Sequence, residues 1–239
     1  MANPTAAMLV IGDEILSGRT RDANMYHLAG RLNAHGVDLR EVRVVGDEAA
    51  DIVAALNELR RRWNHVFTSG GIGPTHDDIT ADCIAEAFGV GIDVRDDARA
   101  VLASNYPGGV ADLTSARLRM ARIPDGASLI DNPVSKAPGF QLENVYVMAG
   151  VPSVFEAMVE SALPLITGGA PLMSESVRID KGESDVAEPL ALIASTYPSV
   201  SIGSYPFQRD GRFGTNIVLR SADRDSLDAA TNAVRALAV

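Results

Sequence analysis

Six consecutive apolar residues, Ala6-Ala7-Met8-Leu9-Val10-Ile11, run up to Gly12 with no polar residue among them. A short uninterrupted run of this kind suits a strand buried on both faces, as in a parallel sheet covered by helices. The segments that follow extend the pattern. Met25, Leu28, Ala29 and Leu32 recur at helical spacing, and Gly36 closes that helix. Val37–Val45 reads as a second strand, and Ile52, Leu56, Leu59 and Trp63 share one face of the next helix. His65–Thr68 is a third strand, a glycine-rich turn comes next, and a helix is expected from about Asp77 to Phe88. Three strand–helix alternations point to an α/β fold with right-handed crossovers.

From residue 95 to 150 the pattern loosens. Helices are expected near Asp96–Asn105 and Asp112–Met120, with Tyr106-Pro107-Gly108-Gly109 turning between them. Phe140–Leu142 and Val145–Met148 read as a hairpin joined at Glu143-Asn144, and a helix over Ser153–Ile166 closes the domain. Thr167-Gly168-Gly169-Ala170-Pro171 breaks the composition and marks a boundary. The expected organisation is therefore a domain over 1–169 and a small one over 170–239. The second reads β-α-β-β-α: a strand at Met173–Ile179, a helix carrying Val186, Leu190, Ile193 and Tyr197, strands at Val200–Tyr205 and Thr215–Leu219, and a helix carrying Leu227, Ala230, Val234 and Leu237.

Composition narrows the function. Among 239 residues, 31 acids oppose 21 bases for a net charge of −10. That disfavours nucleic acid, which is bound through basic surface. The excess is concentrated: residues 1–169 hold 22 acids and 14 bases. A single cysteine, Cys83, excludes a disulfide framework or cysteine zinc cluster and suits a reducing cytosol. Met1-Ala2-Asn3-Pro4 lacks the basic and apolar regions of a signal peptide. No apolar stretch approaches the roughly 18 residues a membrane span needs. The expectation is an acidic, soluble, cytoplasmic protein without membrane or nucleic-acid partners.

The segment richest in potential chemistry is Thr68-Ser69-Gly70-Gly71-Ile72-Gly73-Pro74-Thr75-His76-Asp77-Asp78-Ile79-Thr80, at a strand-to-helix junction. Three glycines let the backbone turn tightly and approach a ligand, and N–H groups beside a helix start suit an anion such as phosphate. The spacing is neither that of the Walker loop nor G-x-G-x-x-G, so neither a common ATPase nor a nicotinamide enzyme is indicated. Asp77 and Asp78 would repel a phosphate unless a hard cation stood between them, which suggests Mg²⁺ or a similar metal. The alternative is that one of them simply caps the helix.

This motif resembles the signature of the MoaB/Mog-type molybdopterin-binding domain. Gly12-Asp13-Glu14-Ile15-Leu16, Asp22 with Asn24, and Asp47 fit the same pattern. Asn132-Pro133, Ala137-Pro138-Gly139-Phe140 and Gly150-Val151-Pro152 look more narrowly like the N-terminal domain of CinA proteins and the corresponding region of FAD synthases. Ser135 stands where the CinA-like pattern usually has glycine, and Ala149 where it has proline.

The resemblance implies a three-layer α/β/α domain with a mostly parallel sheet, followed by a small α+β subdomain. It implies a phosphate loop of Gly70, Gly71 and Gly73, with Asp47 and Asp78 as catalytic residues. Those two and Glu14 are the expected ligands of a divalent metal (Mg²⁺, Mn²⁺ or Co²⁺), and no haem, flavin or nicotinamide prosthetic group is expected. Asp13, Glu14, Asn24, Ser69, Lys136, Gly139 and Gly150 complete the expected ligand contacts. Lys136 is one of only two lysines.

The bound molecule would be a phosphorylated pterin or a dinucleotide. The chemistry would be metal-dependent pyrophosphatase action on ADP-ribose- or FAD-like compounds, with Mog-type adenylylation of molybdopterin or non-catalytic binding as alternatives. A homo-oligomer is a further expectation from the resemblance. With no extra domain after residue 239, neither FAD synthesis nor nicotinamide-mononucleotide deamidation is expected. Cys83 and the histidines other than His76 are read as structural.

Overall fold

The computed structural model describes residues 3–209 and 211–238; the Met1-Ala2 start weighed above lies outside them. The chain divides into two units, Met1–Gly169 and Ala170–Val239. The first runs β1 (Thr5–Ile11), α1 (Asp13–Leu16), α2 (Asn24–Ala34), β2 (Asp38–Val45), α3 (Ala49–Arg62), β3 (His65–Ser69), α4 (Thr80–Phe88), β4 (Ile92–Val94) and α5 (Asp96–Ala103). It continues through α6 (Ser115–Arg119), β5 (Arg122–Pro124), β6 (Ser128–Ile130), β7 (Gly139–Leu142), β8 (Val145–Met148) and α7 (Pro152–Ala162).

A six-stranded sheet ordered β2-β1-β3-β8-β7-β6 forms the middle layer. The first four strands are mutually parallel; β7 runs antiparallel to both β8 and β6. The apolar run of β1 feeds both faces because successive side chains alternate across a strand. Ala7, Leu9 and Ile11 pack with Ile52, Leu56 and Leu59 of α3 and with Cys83 and Ile84 of α4. Ala6, Met8 and Val10 pack with Leu28 and Leu32 of α2 and with Phe155, Met158 and Val159 of α7. This is the expected three-layer α/β/α arrangement. A separate two-stranded ladder pairs β4 with β5.

Several boundaries depart from the sequence reading, each for a local reason. The helix expected from Asp77 begins at Thr80 instead, because Thr80 donates its N–H to the Gly71 carbonyl (2.9 Å) and its hydroxyl to the Gly70 carbonyl (3.0 Å). Asp77 and Asp78 therefore precede the helix, and no side chain caps it. The helix expected to reach Ile166 ends at Ala162; Leu163-Pro164-Leu165 tightens into a 3₁₀ turn, since proline has no N–H to continue the ladder. Thr114 caps α6 by accepting from the Arg117 N–H, which divides the segment expected to be one helix from Asp112. Asp13–Leu16, for which no helix is expected, forms a single helical turn in the connection after β1.

The second unit contains β9 (Met173–Ile179), α8 (Glu183–Thr196), β10 (Ser201–Arg209), β11 (Arg212–Ser221) and α9 (Arg224–Arg235). Its antiparallel sheet is ordered β10-β11-β9, and Asp223 caps α9 by accepting from the Ser226 N–H at 2.7 Å. Val177, Ile179, Val186, Leu190, Ile217, Leu219, Leu227 and Val234 belong to its own core. No helix among the described residues is long and apolar enough to cross a membrane.

Candidate functional site

Four loops leave the carboxyl ends of the parallel strands, where open α/β sheets place their ligands. They are Gly12–Glu14 after β1, Gly46-Asp47 after β2, Gly70–Asp78 after β3 and Ala149–Pro152 after β8. The β6–β7 connection, residues 131–138, meets the same edge because β6 runs with the parallel strands and β7 against them. Together these loops line a cleft of about 580 Å³.

Glycine makes the closeness of the loops possible. Gly70 has φ 106°, and a Cβ there would stand 2.2 Å from the Ile11 carbonyl oxygen. Gly71 has φ 68°, and a Cβ there would meet Thr80 Oγ1 at 2.1 Å. Both positions thus require glycine for conformation and for space. Among the described residues, the N–H groups of Gly71, Ile72 and Gly73 have no acceptor. Three such donors on consecutive cleft residues could serve an anion as a nest.

The side chains around that nest are acidic. Glu14, Asp47, Asp77 and Asp78 line the cleft, and among the described residues no lysine or arginine does. Two of the carboxylates are held by one oxygen each. Asp47 Oδ2 accepts from the Asp13 N–H at 2.9 Å, and Asp78 Oδ2 accepts from the N–H (2.8 Å) and hydroxyl (2.5 Å) of Thr75. Among the described residues no donor reaches Oδ1 of either. The Thr75 hydroxyl is also close to the Asp77 carboxyl. Its nearness, ahead of Asp77's own N–H and smaller pulls from His76 and Arg119, holds the Asp77 carboxyl below its usual range. Arg119 sits behind the loop and donates to the Asp78 carbonyl at 2.9 Å.

The expected site residues separate into three groups. Glu14, Asp47, Gly70, Gly71, Gly73, Asp78 and Gly150 come together on the cleft. Asn24 and Ser69 do not reach it; they line a smaller adjoining pocket of about 50 Å³ together with Glu14 and Gly150. Asn24, only 4% exposed, donates to Ser69 Oγ (2.8 Å) and to the Gly150 carbonyl (2.7 Å), so it braces the loops from beneath. Asp13, Lys136 and Gly139 line neither cavity. Asp13 contributes its N–H to Asp47, and Lys136 adopts φ 57° in the β6–β7 turn. Gly139 is buried in β7, where a Cβ would meet Met158 Cε and the Val147 carbonyl at 2.3 Å.

The three carboxylates expected to ligate a metal share the cleft without forming a cage. Among the described residues, no three His, Cys, Asp or Glu side chains are grouped closely enough to hold an ion. Carboxylates spread in this way would need ligand phosphates to complete the shell of a hard cation such as Mg²⁺. Thr20, Met120 and Arg119 had no sequence signal. Only the fold brings Thr20 and Met120 to the cleft and Arg119 to the Asp78 carbonyl.

Comparison with known proteins places this geometry. Residues 7–168 match the probable molybdopterin binding domain, and residues 171–238 match the middle domain of FAD synthase. The chain belongs to the molybdopterin-binding domain family. A probable FAD synthase from Caenorhabditis elegans is 31% identical over 98% of this chain and 50% of its own length. The chain thus spans about half of that relative. An Aeropyrum pernix protein is 34% identical over 85% of this chain and 80% of its own length. Among solved structures, the CinA protein of Thermoplasma acidophilum, described as being of unknown function, is 36% identical with a TM-score of 0.62. It covers 66% of this chain and 95% of that one. The family membership and the CinA likeness agree with the resemblance drawn from the sequence motifs.

Proposed function

We propose that the cleft binds a phosphorylated pterin or dinucleotide and, with a divalent metal, hydrolyses the diphosphate of ADP-ribose- or FAD-like compounds. One observation carries this reading: among the described residues, three backbone N–H groups without an acceptor stand in a cleft with four carboxylates and no basic side chain. Neutral donors can hold phosphate oxygens there, but the surrounding acids repel the same anion unless a cation lies between.

The residues divide the work accordingly. Gly71, Ile72 and Gly73 orient the diphosphate through their N–H groups. Asp47 and Asp78, fixed through Oδ2, keep Oδ1 available for a cation or a water, and Glu14 adds a third carboxylate. A bound divalent cation supplies charge neutralisation of the diphosphate. A water oxygen adds to one phosphorus, the bond from that phosphorus to the bridging oxygen breaks, and a cleft carboxylate takes the water's proton. The products are AMP and the second phosphate ester. Positioning and electrostatics provide the catalysis, so no nucleophilic side chain is needed.

A second reading has its own support. The relatives named as probable FAD synthases suggest adenylyl transfer, in which a phosphorylated acceptor replaces water. Incubation with ADP-ribose, FAD, and molybdopterin plus ATP, each with Mg²⁺, Mn²⁺ or Co²⁺, separates the two. AMP or flavin mononucleotide without an acceptor supports hydrolysis; adenylylated pterin alone supports transfer. Binding without any turnover would refute both.

A further inference from the structure

Asn132 is 1% exposed, and every hydrogen-bonding group of its amide is used. Nδ2 donates to Ser135 Oγ at 2.7 Å and to the Ala137 carbonyl at 2.8 Å. Oδ1 accepts from the N–H groups of Val134 (3.1 Å) and Ser135 (3.2 Å). A further bond joins the Lys136 N–H to the Asn132 carbonyl at 3.0 Å, closing the turn. One buried side chain thus fixes the whole β6–β7 loop, and Ser135 is held through both its backbone and its hydroxyl.

The direction of one of those bonds has a chemical consequence. An amide nitrogen can only donate, so Ser135 Oγ must be the acceptor, and its hydrogen points elsewhere. Among the described residues that hydrogen has no acceptor. Ser135 lines the cleft, where among the described residues no lysine or arginine stands and Thr20 carries the other serine or threonine hydroxyl. The cleft is therefore poor in side-chain donors for an anion, and a pre-oriented hydroxyl is one of the few.

We propose that the Ser135 hydroxyl donates to a phosphate oxygen of the bound ligand and sets this chain's affinity for diphosphates. The proposal rests on the diphosphate-binding reading above. Glycine at 135 would leave the turn without this donor. Hydrogen bonds to charged groups are stronger than neutral ones, so loss of the hydroxyl should weaken binding about tenfold or more.

The test is calorimetric titration with α,β-methylene-ADP and Mg²⁺, a diphosphate ligand whose bridging carbon resists hydrolysis. Ser135→Ala and Ser135→Gly are expected to bind about tenfold more weakly than wild type, and Ser135→Thr to restore affinity to within about threefold. Thermal unfolding of each variant separates loss of the donor from collapse of the loop, and the glycine variant serves if the alanine variant folds poorly. Wild-type affinity in a folded Ser135→Ala or Ser135→Gly overturns this inference while leaving diphosphate binding intact. Failure of wild type itself to bind would overturn the functional reading and this inference with it.

Discussion

The side-chain amide of Asn24 lies 2.7 Å from the carbonyl oxygen of Gly150, joining positions 126 residues apart in the chain. The same nitrogen donates to Ser69 Oγ, so one buried side chain ties the end of β3 to the turn after β8. Asn24→Ala should remove both bonds and leave the Gly150 carbonyl without its donor. The expected loss is about 1–3 kcal/mol of stability, read from denaturant midpoints. Asn24→Asp should be at least as damaging, because it aims a carboxylate at a carbonyl. Unchanged midpoints would mean the brace carries no load.

The two glycine substitutions with opposite surroundings form a second prediction. Gly70→Ala places a methyl 2.2 Å from the Ile11 carbonyl at a φ of 106°, whereas Gly18→Ala, at φ 72°, meets nothing within 4 Å. Both carry the cost of a positive φ, about 1–2 kcal/mol. Gly70→Ala adds a backbone clash, so it should be the more destabilising and should also abolish ligand binding. Gly18→Ala should keep binding. Equal stabilities for the two would contradict the close approach of the loops.

Lys136 provides a third. It is a non-glycine residue at φ 57° that lines neither cavity. Lys136→Gly should therefore leave diphosphate affinity unchanged and raise stability by up to about 1 kcal/mol. A marked loss of affinity would return Lys136 to the site.

Cys83 is buried in the core between the sheet and α4, and burial, with Glu86 and Asp82 nearby, pushes its thiol up to about 11. The native protein should resist thiol reagents at pH 8 and react once unfolded. The folded value exceeds the ordinary value of 9.0, so this contribution to stability is complete below pH 9 and declines as the pH rises toward 11. Rapid labelling of the native protein at pH 8 would place the thiol at the surface.

What the sequence revealed, and what it concealed, follows from the range of the interactions. The doubly buried strand was legible because six apolar residues in a row leave no solvent face, and the glycine loop because conformational need limits residue choice. The start of α4 was not legible. It depends on Thr80 reaching back to Gly70 and Gly71, and the acids before it read, by residue type alone, as placed beside a cation or, alternatively, as one helix cap. Asn24, Ser69 and Gly139 matched family motifs, but the fold sets the first two in a smaller adjoining pocket and buries the third in β7, since a motif marks a place in the fold without saying which way a side chain faces. The Asn132 bonds lie within six residues, but a pattern of residue types does not convey that all four groups of one amide are satisfied. Arg119 reaches the Asp78 carbonyl across 41 residues and left no local trace. The three-residue strands β4, β5 and β6 were too short to carry a period.

The central claim is that this acidic cleft turns over a diphosphate through a metal held beside Asp47 and Asp78. The most direct measurement is AMP release from ADP-ribose as a function of Mg²⁺ concentration, for wild type, Asp78→Asn and Asp47→Asn. The account predicts saturable metal dependence, abolition by chelator, and at least about a hundredfold loss of rate in each folded variant. Turnover that survives chelation, or that persists at the wild-type rate in both variants, would contradict it.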